Sequence, residues 1–254
     1  MSHGLAIVTG HSRGLGAALA EALLQRGYRV LGISRRAHAE LGSRGMREGA
    51  HLEEWAADLA SPGPVAERLE RWLAGLDAAS FESATLINNA AMLTPPGPID
   101  RRTVQEIADG VRVGLEAPLL LAAAFLRATR DWRGPRRVLN ISSGLGRRGM
   151  AAQAIYCAIK AGLDNASRAM ALDEAARPKG ARIVSLAPGV IDTDMQTQIR
   201  RADPDGFPDQ GAFIGMKTGG QLASPADAAA RVLAYLARDD FGANPVADIR
   251  DPAR

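Results

Sequence analysis

Residues 5–27 read "LAIVTGHSRGLGAALAEALLQRG", and the fold turns on how this stretch is divided. "LAIVTG" (5–10) is a short apolar run bounded by glycine, the pattern of a strand buried on both faces of a parallel sheet. "LGAALAEALLQRG" (15–27) carries apolar residues at helical spacing and closes on Gly27, a residue suited to ending a helix. Gly10, Gly14 and Gly16 therefore fall on the turn from strand to helix. Glycine there permits a tight turn and close backbone approach, so that backbone N–H groups and the positive helix end can meet an anion such as a pyrophosphate. The competing explanation is a turn that needs glycine only for its own geometry.

Outward from this unit the alternation repeats. "YRVLGISRR" (28–36), "EEWAADL" (53–59), "ATLINNA" (84–90), "RRVLNISSG" (136–144) and "ARIVSLAPG" (181–189) read as strands. "PVAERLERWLAGL" (64–76), a long segment from about Thr103 to Arg130, and "AAQAIYCAIKAGLDNASRAMALDEAA" (151–176) read as helices. A late helix, "SPADAAARVLAYLARDD" (224–240), has Ser224 as its expected N-cap and Pro225 at its first position. Strand and helix taking turns imply an α/β fold with a parallel sheet covered by helices on both faces. No linker, repeat or charge block divides residues 1–254, so one domain is expected. The stretch between Pro188 and Leu222 lacks clean periodicity; because it leaves a strand, it is expected to be an irregular substrate lid, at about 189–222.

Composition narrows the function. The net charge is only +3, and the arginines are scattered instead of forming a stripe, while aromatic residues make up 4% of the chain. Neither property suits a nucleic-acid surface, whereas a small anionic ligand remains compatible. The lone Cys157 excludes an internal disulfide. With no signal-like start and no apolar run long enough to span a bilayer, a soluble cytoplasmic protein without membrane association is expected. No metal is expected.

Two local patterns carry chemistry. At the end of the second strand, where an acidic residue would hold a ribose 2′-hydroxyl, Ser34 and Arg35 stand instead. An acid would repel a 2′-phosphate; Arg35, with Arg13 of the glycine turn, can bind one through charge-assisted hydrogen bonds, which predicts NADP(H). Tyr156 and Lys160, four residues apart, share one helical face.

With "TGHSRGLG", "NNAA", "ISSG", Tyr156-x-x-x-Lys160 and "PGVIDTDM" in this order, nearly the whole chain resembles the short-chain dehydrogenase/reductase family. The resemblance implies a Rossmann-type, doubly wound single domain, a homodimer or homotetramer, and hydride transfer between nicotinamide and a small-molecule carbonyl or alcohol. It assigns the catalytic Ser to Ser143, thirteen residues before Tyr156, in preference to Ser142. Tyr156 would be the acid, with its anion stabilised by the Lys160 ammonium and the oxidised nicotinamide. Lys160 would also hold the nicotinamide ribose, and Ser143 the substrate oxygen. The cofactor-binding set so implied is Gly10, Ser12, Arg13, Gly14, Leu15, Gly16, Ser34, Arg35, Asp58, Leu59, Asn89, Ala90, Ala91, Tyr156, Lys160, Pro188, Gly189, Ile191 and Thr193. Asp58 would accept from the adenine amine or simply cap a helix, and Asn88 and Ala90 would lie beside the adenosine ribose.

The chain departs from the family pattern at two positions. Ala91 replaces the glycine of "NNAG", and Gly114 stands where the family places an active-site Asn. The second change keeps open an alternative, a cofactor-binding protein with little turnover and a structural or regulatory role. The segment from Gly220 onward, with "VADIRD", is similar to the branch containing sepiapterin and benzil reductases, which implies a vicinal dicarbonyl substrate for a carbonyl reductase. Met150, Met195, Phe207, Phe213 and Met216 are candidates for an apolar wall, and Arg147 and Arg148 for contacts to an acidic substrate.

Overall fold

The computed structural model describes residues 3–38, 40–41 and 51–252. Seven parallel strands run in spatial order β3-β2-β1-β4-β5-β6-β7. They are β1 His3–Thr9, β2 Arg29–Ser34, β3 His51–Ala56, β4 Phe81–Asn88, β5 Arg136–Ile141, β6 Arg182–Ala187 and β7 Val246–Asp248. Leu5, Ala6, Ile7 and Val8 of β1 are completely buried, which is why the central strand reads as an unbroken apolar run. The strand order reverses between β1 and β4, and the crevice opens at their carboxyl ends, where open α/β sheets bind ligands.

Helices α1 (Gly14–Leu24) and α8 (Pro225–Leu236) cover one face, where Leu15, Leu19, Leu23, Val232, Leu233 and Leu236 form a single core with β1 and β6. On the other face α2 (Pro62–Ala74) and α4 (Ala117–Ala128) press Leu69, Leu73, Leu121 and Phe125 onto the sheet. The long α5 (Ala154–Ala175) packs beside β6 on that side. Helix α8 starts as expected, with Ser224 Oγ accepting from the Asp227 N–H at 3.1 Å. The doubly wound Rossmann-type arrangement read from the sequence is the one the chain adopts.

Three expectations need correction. The stretch from 189 to 222 is not irregular: it holds α6 (Asp194–Arg200) and α7 (Gln210–Thr218). These helices are too short to show periodicity, and paired backbone contacts close them off at the base, Ala223 N–H to Val190 at 3.0 Å and Asp192 N–H to Ala223 at 2.9 Å. The segment expected as one helix from Thr103 to Arg130 is α3 (Val104–Val111) and α4 joined through a π-helical turn at Arg112–Glu116. Strand β3 stops at Ala56, three residues short of the expected Leu59; Asp58 Oδ1 instead accepts from the Ala60 N–H at 2.9 Å and turns the chain toward α2. Among the described residues no helix is long and apolar enough to cross a membrane.

Candidate active site

The glycine turn is held by its neighbours. Asn89 Nδ2 donates to the Thr9 carbonyl at 2.9 Å, and the N–H groups of Asn89 and Ala90 donate to Thr9 Oγ1 at 3.0 and 2.9 Å. The ends of β1 and β4 are thus clamped where the sheet order reverses. Gly10 has φ +70°, and a Cβ on Gly16 would collide with the Gly10 carbonyl oxygen, so both positions require glycine. Helix α1 begins without a side-chain cap and with no acidic residue in its first turn. Its free N–H groups and positive end therefore face the cleft, a cradle that fits a pyrophosphate.

All nineteen residues of the expected cofactor set, together with Ser143, line one continuous cleft with about 2210 Å³ of space. Within it Arg35 is exposed and, among the described residues, makes no ion pair; neighbouring Arg36, which is absent from the expected set, lines the cleft in the same way. Ser34 Oγ donates to the Arg36 carbonyl at 2.6 Å and shapes the turn that presents both guanidinium groups. This local supply of unpaired positive charge fits a 2′-phosphate. Arg13 is engaged elsewhere: its Nη1 lies 2.8 Å from Asp194 Oδ2, which bridges the glycine turn to the start of α6.

At the far end of the cleft the first two turns of α5 present Tyr156 and Lys160 beneath the loop that follows β5. Lys160 is buried, with Nζ donating to the Ile141 carbonyl at 2.7 Å and standing 5.6 Å from the centre of the Tyr156 ring. Burial brings its ammonium down to about 8, against the opposing pull of Asp164. Burial pushes the Tyr156 phenol above its ordinary value, with a hydrogen bond from Ser143 pulling the other way; the expected stabilisation of its anion relies on Lys160 together with an oxidised nicotinamide. The two neighbouring serines separate cleanly. Ser143 is half-buried at the cleft, whereas Ser142 is buried and its Oγ donates to Asp164 Oδ1 at 2.5 Å.

Other expected roles do not match their placement. Asn88 is buried, donating to Asn140 Oδ1 at 2.9 Å, and its side chain ties β4 to β5 instead of reaching a ribose. Arg147 turns inward, donating to the Ala247 carbonyl at 2.6 Å, so it does not greet a substrate; Arg148 does line the cleft. Phe207 is completely buried against Phe213, with ring centres 5.6 Å apart, and takes no part in the wall that Met150, Met195, Phe213 and Met216 contribute. Gln196 joins this wall, a residue whose type gave no signal in the sequence.

Gly114 has a packing explanation. It lies in the π-helical turn, and a Cβ there would stand 2.6 Å from Ile159 Cγ2. Ile159, next to Lys160 on α5, occupies the room that an Asn side chain would need. Gly114→Asn is therefore expected to lower stability by about 1–3 kcal/mol through overpacking. Adding Ile159→Ala should recover part of the loss; thermal denaturation checks both, and an unchanged melting temperature in the single variant would contradict the packing account.

Comparison with known proteins agrees with this geometry. A family model described as short chain dehydrogenase matches residues 4–204. A benzil reductase ((S)-benzoin forming) of Bacillus cereus is 32% identical over 235 residues, covering 92% of this chain and 94% of that protein. The 3-oxoacyl-[acyl-carrier-protein] reductase FabG of Escherichia coli (strain K12) is 33% identical, covering 93% and 90%. Among solved structures, the KRED1-Pglu enzyme superposes with a TM-score of 0.78 at 27% identity, covering 96% of this chain and 99% of that one. This chain belongs to the short-chain dehydrogenase/reductase family of oxidoreductases and is similar to its benzil reductase branch.

Proposed function

We propose that the protein is an NADPH-dependent carbonyl reductase acting on small vicinal dicarbonyl compounds. The observation that carries this reading is the convergence, in one cleft, of Ser143, Tyr156 and Lys160 with an uncapped helix start and two unpaired arginines. Bound NADPH would supply a hydride to the carbonyl carbon. The Tyr156 phenol, with an ordinary pKa of about 10 that burial raises further, is protonated near neutral pH, and Tyr156 gives its proton to the carbonyl oxygen as negative charge develops there. The Ser143 hydroxyl donates a hydrogen bond to the same oxygen. The Lys160 ammonium stabilises the tyrosinate left behind.

The wall of Met150, Met195, Phe213 and Met216 favours an apolar or aromatic substrate, and the similarity to a protein named benzil reductase points the same way. The reading with little turnover gains no support from these relatives, which are named as reductases. Loss of NADPH absorbance against a panel of 1,2-diketones, quinones and pterins tests the reading. Rapid turnover with aryl diketones is expected, and NADPH binding without turnover of any panel member would overturn it.

Cofactor preference has its own test. Arg35→Ala is expected to weaken NADPH binding about 10- to 100-fold, the range of a lost charge-assisted hydrogen bond, and to leave NADH binding nearly unchanged. Fluorescence titration of both cofactors reads it; equal losses for the two would remove the assignment of Arg35 to the 2′-phosphate.

A further inference from the structure

One side chain of the glycine turn has no part in the chemistry above. His11 is completely buried, whereas Gly10 and Ser12 on either side of it line the cleft. Its ring lies over β2: a Cβ on Gly32 would stand 2.5 Å from His11 Cδ2, so the strand leaves room for the imidazole because it carries glycine there. On β3, Glu54 is the register partner of Gly32, and its Oε1 lies 2.6 Å from His11 Nε2. The other ring nitrogen, Nδ1, has no hydrogen-bond partner among the described residues.

The same Glu54 oxygen accepts from the His38 N–H at 2.8 Å. His38 stands at the far end of the short connection that carries Arg35 and Arg36 away from β2. The start of that connection is fixed by backbone bonds, Gly10 N–H to the Ile33 carbonyl at 2.8 Å and Ala57 N–H to the Ser34 carbonyl at 2.9 Å. Its far end is held by a side chain from β3. One carboxylate oxygen therefore joins the glycine turn, the arginine turn and the edge strand of the sheet, while neither Glu54 nor His11 lines the cleft. Hydrogen bonds to an ionised acceptor are stronger than those between neutral groups. An exposed arginine turn has conformational freedom that a bound phosphate must take away, and a turn already fixed at both ends loses less of it.

We propose that Glu54 is a positioning residue for the cofactor 2′-phosphate: it pins the end of the Arg35–Arg36 turn to the glycine turn through His11 and so holds both guanidinium groups ready. The proposal rests on the NADPH reading above for its ligand, but the pinning itself can be measured without cofactor. The negative charge of Glu54 opposes a phosphate, so its hydrogen bonds, and not its charge, carry the effect.

Glu54→Gln keeps an acceptor for His11 and His38 and removes the charge; Glu54→Leu removes both. In the full-length protein without cofactor, amide hydrogen exchange at His38 is expected to be faster in Glu54→Leu than in Glu54→Gln, which should resemble the parent. Fluorescence titration should show NADPH bound about tenfold more weakly by Glu54→Leu than by Glu54→Gln, with NADH binding in the two within about twofold. If Glu54→Leu leaves the His11 N–H buried without an acceptor and fails to fold, His11→Leu/Glu54→Leu compared with His11→Leu/Glu54→Gln carries the same measurements. Equal exchange at His38 in the folded pair overturns the proposal. Where the parent prefers NADPH, so does equal NADPH affinity in the pair, or an equal loss for NADPH and NADH, which would mark Glu54 as merely structural. A parent that binds the two cofactors alike counts against the reading of Arg35 and Arg36, and exchange at His38 then decides by itself whether Glu54 pins the turn.

Discussion

Tyr156→Phe removes one oxygen atom and is expected to lower kcat for carbonyl reduction by about 10²- to 10⁴-fold, the range for loss of a positioned general acid. The ring remains, so packing at the start of α5 is preserved and the stability change should stay small. NADPH binding should change far less than kcat, because the glycine turn and the arginines at the other end of the cleft are untouched. Such a split, a large fall in kcat with a nearly constant cofactor Kd, separates a proton donor from a residue that merely lines the site. Single-turnover kinetics and a fluorescence titration measure the two quantities. Activity within about tenfold of the parent would remove Tyr156 from the role of acid.

Lys160→Met is expected to abolish most of the turnover and yet to stabilise the fold. The Lys160 ammonium titrates at about 8 in the folded protein, against 10.5 as its ordinary value. A depressed folded pKa means that the unfolded chain holds this proton more tightly. Below about pH 8 both states are protonated and the burial penalty is present in full; between the two values wild-type stability rises with pH as the folded protein sheds the proton. The whole displacement corresponds to on the order of 3 kcal/mol. Methionine has similar bulk and no charge, so Lys160→Met should be more stable than the parent at pH 7 by about 1–3 kcal/mol, less whatever the bond to Ile141 contributes. The advantage should shrink steadily as pH approaches 10. Urea denaturation at pH 7 and pH 10 reads the difference; a variant less stable than the parent at pH 7 would show that the ammonium is compensated in place. This is the usual trade at a functional site, where a group needed for chemistry is held at the expense of stability.

The two ends of the cleft differ in how they are built. At the phosphate end, what matters is backbone: a turn of defined shape, a helix start without a cap, and two arginines on a short connection. These are properties of consecutive residues, and "TGHSRGLG" with Arg35 displays the turn and one arginine directly, whereas the missing cap and Arg36 emerge only in the folded chain. At the nicotinamide end, what matters is the environment of side chains brought together from separate strands and helices. Tyr156 and Lys160 could be paired from their helical spacing, but the direction of the Tyr156 pKa could not, because burial is a property of the assembled cleft.

The sequence by itself determined the alternation of strand and helix, the parallel sheet that follows from it, the glycine turn and the Tyr156–Lys160 face, because each is governed by neighbours within about one or two turns of chain. Only the tertiary structure decided that Gly114 yields its space to Ile159, that Asn88 ties two strands, that Arg147 reaches Ala247 and that Asp164 accepts from Ser142 and Ser185. Those contacts join residues 21 to 100 positions apart, and an isolated Gly, Asn, Arg or Asp carries no local pattern that names its partner.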